Sequence, residues 1–127
     1  MSWEHFAITQ SGTCQLTNTQ THTVVSANYE RGILSTGKSR VFWGYQITLR
    51  LENVNVTGKS QGYVETFTLA LQDLNEKLAP HNLRLNVAGN HSSYRESRMS
   101  CGSGYGYLAG HQQAVDIMSY CAPENTV

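Results

Sequence analysis

The stretch Val41–Glu52, VFWGYQITLRLE, decides the fold. Apolar side chains occupy every second position from its first residue to Leu51, and the positions between them become polar toward its end. A period of two is that of an extended strand with one face in the core and one face toward solvent. Because the second face keeps polar residues, we predict an antiparallel sheet rather than a parallel sheet that is covered on both sides.

A helical pattern follows this strand. Apolar residues recur at the spacing of one helix face, at Tyr63, Val64, Phe67, Ala70, Leu71, Leu74 and Leu78. Ser60 or Gly62 is a suitable N-cap, and Pro80 ends the pattern. We therefore predict one long amphipathic helix over about residues 61–79, with Phe67, Leu71 and Leu74 facing the sheet.

Shorter patterns predict further strands around these two elements. Residues 3–10, 22–29 and 83–88 favour strands, residues 11–21 are rich in turn formers, and residues 112–121 fit a helix or a strand. Strands, then a helix, then strands again indicate an α+β fold, a mainly antiparallel sheet with the helix packed on one face. A length of 127 residues fits a single globular domain, residues 1–127.

The segment Gly32–Ser39, GILSTGKS, matches the phosphate-binding loop pattern G-x-x-x-x-G-K-S. That loop binds phosphate because it connects a strand to the N-terminus of a helix. Here the next element is the predicted strand at Val41, so we expect residues 30–40 to be a loop between two strands that binds no nucleotide.

A second TGKS, Thr57–Ser60, lies directly before the predicted helix but lacks the first glycine of the pattern. At a helix start, Lys59 and Ser60 would offer a charge, a hydroxyl and free backbone N–H groups to an anion. The alternative is an ordinary N-cap beside a solvated lysine. Because of the charge, the hydroxyl and the free N–H groups at this predicted helix start, we predict that Lys59 and Ser60 bind an anion.

Composition excludes several classes of partner. Nine basic and nine acidic residues give a net charge of zero, so the positive surface of a nucleic-acid-binding protein is not expected. No apolar run reaches the length of a membrane span. The N-terminus MSWEHFAITQ lacks the basic and apolar regions of a signal peptide, which predicts a soluble, cytoplasmic protein. The alternative, that Met1 is not the native start and a signal peptide has been removed, stays open.

Cysteine and histidine residues suggest two kinds of site. His91, Cys101, His111 and Cys121 follow one another at intervals of ten residues, without the close pair of ligands that metal sites use, so no metal is expected. Cys101 with His91 or His111 as its base, and Asp116 or Glu96 to orient that base, would make a small hydrolase or transferase. This enzyme is the alternative hypothesis for function.

The glycine- and tyrosine-rich segment of residues 102–110 supports the leading hypothesis. If it is extended, Tyr105 and Tyr107 share one face, and Arg95 and Arg98 lie shortly before it. Tyrosine and arginine are enriched where proteins bind one another. The dinucleotide-like pattern from Gly104 lacks room for its acidic partner before the chain ends, so no cofactor is expected.

We therefore predict a small non-catalytic domain that binds another protein, as an adaptor, a secretion-accessory protein or an inhibitor of the immunity type. Homo-oligomerisation stays open.

Overall fold

The computed structural model describes residues 4–36, 41–61, 66–97, 104–110 and 112–123. Its elements, in chain order, are β1 (Glu4–Asn18), β2 (Val24–Thr36), β3 (Val41–Arg50), β4 (Asn55–Gln61), α1 (Phe67–Leu78), β5 (Leu83–Leu85), β6 (Arg95–Glu96), β7 (Tyr105–Tyr107) and β8 (Val115–Asp116). The predicted α+β class is confirmed. Residues 112–121, whose sequence fits either a helix or a strand, contribute β8 and a following turn.

The main sheet has five strands in the order β4-β3-β2-β1-β5, and each neighbouring pair is antiparallel. As predicted, β3 places Tyr45, Ile47 and Leu49 in the core. Its second face is not open to solvent as expected, because Gln46 and Thr48 are also buried. The sheet curls, and Glu4 at the start of β1 reaches Lys59 on β4, with 2.6 Å between Oε1 and Nζ.

Two predicted loop boundaries, one before β2 and one after it, are wrong. The polar segment of residues 11–21 lies mostly in β1, and the chain turns only at residues 19–21. The predicted loop of residues 30–40 begins too early, because β2 continues to Thr36; residues 37–40 lie outside the described residues. Gly32 pairs with both Ile8 and Gln46, so the start of GILSTGKS is the interior of a strand.

The helix α1 is shorter than predicted, because β4 extends through Ser60 to Gln61 and the helix begins only at Phe67. Thr66 is the N-cap, and its hydroxyl accepts a hydrogen bond from the backbone N–H of Leu69 at 3.2 Å. The predicted face is confirmed, since α1 buries Phe67, Ala70, Leu71, Leu74 and Leu78. Gly58 on β4 allows close packing, because a Cβ there would lie 2.3 Å from the carbonyl oxygen of Ala70.

The two long edges of the main sheet differ. On β4, Asp73 of α1 accepts the backbone N–H of Lys59 at 2.9 Å, and Lys77 donates to the carbonyl of Thr57 at 2.7 Å. Asp73 and Lys77 also pair with each other at 3.1 Å. On β1, β5 covers only Leu16–Asn18. Within the described part of the chain, no strand pairs with the outer edge of β1 before that point.

A second sheet joins β6, β7 and β8. Arg95 lies opposite Tyr107, and Tyr105 lies opposite Asp116. This small sheet rests near the N-terminal end of α1, where it makes the contacts described below. Among the described residues, no helix combines the length and the hydrophobicity needed to cross a bilayer.

Candidate functional site

The small sheet is attached to the main sheet through a buried arginine. Arg31 lies on the core-facing side of β2 and is 1% exposed. Its guanidinium pairs with the carboxylate of Asp116 on β8, through Nη2 to Oδ2 and through Nε to Oδ1 at 3.4 Å. A buried charge needs such a partner, because the cost of removing it from water is otherwise several kcal/mol. The pair therefore fixes where β8 can sit on the main sheet.

Two aromatic rings enclose the Arg31 guanidinium. Its Cζ lies 5.1 Å from the ring centroid of Phe67 at the start of α1 and 5.7 Å from that of Tyr105 on β7. Both distances are in the range of a cation–π contact. Gly104 has φ +81°, and a Cβ there would lie 2.5 Å from the guanidinium. Only glycine fits this position, because the backbone passes directly over the arginine.

Glu96 supplies the second attachment of the small sheet. Its carboxylate accepts hydrogen bonds at the first turn of α1, from the backbone N–H of Thr68 at 2.8 Å and from the hydroxyl of Thr68 at 2.7 Å. The backbone N–H of Phe67 lies 3.4 Å from the same carboxylate. A negative charge at a helix N-terminus is stabilised by the free N–H groups and by the helix dipole. The small sheet is thus held at two points by charge-assisted hydrogen bonds.

The outer surface of the small sheet carries the predicted tyrosines. Tyr105 and Tyr107 alternate with buried Gly106 along β7 and are 37% and 44% exposed. Arg95, also exposed, lies opposite Tyr107. The two tyrosines and Arg95 are therefore brought together as the sequence predicted, and we call these three residues the tyrosine face. Arg98, the fourth predicted residue, lies outside the described residues.

Lys59 and Ser60 lie in β4 and not at the start of the helix. The Lys59 ammonium pairs with Glu4, and the Ser60 hydroxyl donates to the carbonyl of Thr66 at 2.8 Å. Anion binding by Lys59 and Ser60 stays a prediction, but the helix N-terminus no longer supports it.

The residues of the alternative enzyme are only partly described. Cys101 and His111 lie outside the described residues. The Nδ1 atom of His91 accepts the backbone N–H of Ser93 at 3.0 Å. Glu96 and Asp116, considered as orienting carboxylates, bind the start of α1 and Arg31 instead. In the described part of the chain, no group of three or more histidine, cysteine or acidic side chains is placed to hold a metal ion.

Sequence reasoning missed Arg31, although one signal pointed to it. Ala27, Tyr29, Arg31 and Ile33 fall on one face of β2 by the period of two. An arginine inside such an apolar row needs a buried carboxylate as its partner. The identity of that carboxylate could not be read from the row, because several acids are present along the chain.

Comparison with known proteins gives no relative. No protein-family model, no curated protein and no solved structure matches this chain.

Proposed function

We propose that this protein is a small non-catalytic domain that binds another protein through the tyrosine face. The observation that carries the proposal is the exposure of Tyr105 and Tyr107 side by side on a short, anchored strand. An adaptor, a secretion-accessory protein or an inhibitor of the immunity type would use such a face.

The chemistry of the three side chains favours a protein partner. Tyrosine brings a large apolar ring and a hydroxyl, and few of its torsions must be fixed on binding. Arginine adds a planar group with several donors. These residue types carry much of the binding energy in protein interfaces. Arg95 already donates to the backbone carbonyls of Ser92 at 3.2 Å and of Tyr94 at 2.8 Å, which orients its side chain.

The attachment of the small sheet supports the same proposal. A surface held in its bound conformation loses less entropy when the partner docks. Here Arg31 with Asp116, and Glu96 with the first turn of α1, hold the sheet from beneath. Tyr105 also covers the Arg31 guanidinium. The face is thus preorganised by charges that take no part in the contact itself.

The test is a pull-down from the native host, followed by calorimetry with the purified partner. Tyr107→Ala is the informative variant, since Tyr107 is 44% exposed whereas Tyr105 contacts Arg31. We expect Tyr107→Ala to weaken binding by about 1–2 kcal/mol, roughly a 5- to 30-fold rise in Kd. The thermal midpoint should change little.

Tyr120→Ala is the matched control. Tyr120 is 63% exposed and lies outside the small sheet, bridged to Val87. Its removal should leave affinity unchanged. If Tyr107→Ala lowers the thermal midpoint by many degrees and keeps full affinity, Tyr107 stabilises the fold and the proposal is wrong.

A further inference from the structure

A pocket of about 290 Å³ lies at the opposite end of α1 from the tyrosine face. The C-terminal half of α1 contributes Asn75, the turn before β5 contributes Asn82, and β5 contributes Arg84. Thr19, after β1, and Asn90 complete its polar lining. This volume is near the lower end of small-molecule sites and equals that of about ten water molecules.

Arg84 is the unusual group in this pocket. The ion pairs of the described residues involve Arg31, Arg50, Lys59 and Lys77, and Arg84 takes part in none of them. Its Nε atom is buried without a hydrogen-bond partner. A buried donor on a charged group costs free energy unless something accepts its hydrogen bond. Arg84 is therefore prepared for an acceptor that the described residues do not supply.

The amides around Arg84 have unused hydrogen-bonding capacity. Asn75 donates to Asn90 at 2.7 Å and accepts from it at 3.3 Å, which leaves Asn75 one N–H and one lone pair. Asn90 uses its remaining N–H on the carbonyl of Leu85 at 3.0 Å. The Asn82 side chain makes no hydrogen bond with the described residues. The free groups of Asn75 and Asn82 are therefore donors and acceptors in equal number, beside a cation that forms no ion pair with the described residues.

We propose that this pocket binds a small polar carboxylate, such as a hydroxy or amino acid. The guanidinium is a planar fork that matches the two oxygens of a carboxylate. Asn75 and Asn82 provide donors and acceptors for a neighbouring hydroxyl or amino group. The site is separate from the tyrosine face and its function does not depend on protein binding.

The test is an NMR titration of the ¹⁵N-labelled full chain at constant ionic strength. The probes are malate, malamide, which is its neutral diamide, and inorganic phosphate. We expect saturable shifts with malate at the backbone amides of Asn82, Leu83 and Arg84, and no saturable shift with malamide. Phosphate should bind more weakly than malate, because its oxygens also match the guanidinium fork but it carries no carbon-bound hydroxyl group to reach Asn75 and Asn82.

Variants of two pocket residues separate charge from shape. Arg84→Met should weaken malate binding at least tenfold, and Arg84→Lys, which keeps the charge without the fork, at least threefold. Asn82 has φ +58°, so Asn82→Gly keeps a backbone conformation that glycine adopts readily and should weaken binding about threefold. If Arg84→Met does not fold, the lysine and glycine variants carry the test.

Arg50→Met is the matched control, because Arg50 is exposed and pairs with Glu30 at 2.6 Å on β2, away from the pocket. It should bind malate as the native chain does, and so should Tyr107→Ala. The proposal is overturned if malate shifts do not saturate, if malamide binds equally well, if Arg84→Met keeps its affinity, or if phosphate binds more tightly than malate.

Discussion

Replacing Asp116 by asparagine should destabilise the protein by about 3 kcal/mol, within the 3–5 kcal/mol that removal of one partner from a buried ion pair costs. The Arg31 side chain is 2% exposed, so its charge cannot turn to water. Among the described residues its other side-chain partner is Thr9, with Nη1 and Oγ1 3.5 Å apart, and Thr9 is neutral. The value lies at the lower end of the range because asparagine keeps an acceptor for Arg31 and for the backbone N–H of Met118, which donates to Oδ1 at 2.8 Å.

Urea denaturation measures this change. With an m-value of about 2 kcal/mol/M, typical of small proteins, the midpoint should fall by about 1.5 M. Glu30→Gln is the matched control, because it breaks an arginine–carboxylate pair whose arginine, Arg50, is 55% exposed; such pairs contribute about 1 kcal/mol or less. The double variant Arg31→Met, Asp116→Leu should be more stable than Asp116→Asn, since no charge is left buried. A loss below about 1 kcal/mol in Asp116→Asn, or a double variant less stable than it, would refute the reasoning.

Three further predictions concern packing and pH. Gly104→Ala should cost about 2–4 kcal/mol, because both its φ of +81° and the nearby guanidinium oppose a side chain. Gly110→Ala, with the same φ and open space around it, should cost only about 1 kcal/mol. If urea denaturation gives the two variants the same loss of unfolding free energy, the close approach of Gly104 to the Arg31 guanidinium is contradicted. Leu71→Ala should cost about 2–5 kcal/mol. Leu69→Ala, at a position 40% exposed, should cost less than about 1 kcal/mol. An unchanged urea midpoint for Leu71→Ala would mean that the wrong helix face was chosen. Burial raises the pKa of Cys14 from 9.0 to about 12. The folded chain therefore holds this proton up to a higher pH than the unfolded chain does. The stability that is present below pH 9 is lost as the pH rises toward 12, because only the unfolded chain then releases the proton. The urea midpoint should therefore decrease more between pH 8 and pH 11 in the native chain than in Cys14→Ala. An equal decrease in both chains would show that the Cys14 thiol is not responsible.

The parts of the fold that periodicity determines could be predicted from the sequence. The alternation in β3 and the apolar stripe of α1 each describe one element and the face it buries, so the α+β class followed. The helix start could not be placed, because Ser60 has the chemistry of an N-cap while the pairing of β4 with β3 keeps it in a strand. The end of β1 was hidden for a similar reason, since only Cys14 and Leu16 mark its buried face among polar residues.

The candidate site divides in the same way. The shared face of Tyr105 and Tyr107 is a local property of an extended segment and was predicted. Its attachment was not, because Arg31 and Asp116 are 85 positions apart and nothing local links them. Asp116 was instead considered as an orienting group for catalysis, a role that fitted its residue type and not its neighbours.

The unequal edges of the main sheet limit how copies of this protein can associate. An open-ended fibre of paired strands needs two free edges on every copy, so that each can pair on both sides. Here α1 occupies the backbone groups of Lys59 and Thr57 on one side, and among the described residues no strand pairs with the edge of β1 before Leu16. Pairing of β1 with β1 in a second copy would use both free edges at once. Edge-to-edge growth of the main sheet through the edge of β1 alone would therefore stop at a two-fold dimer.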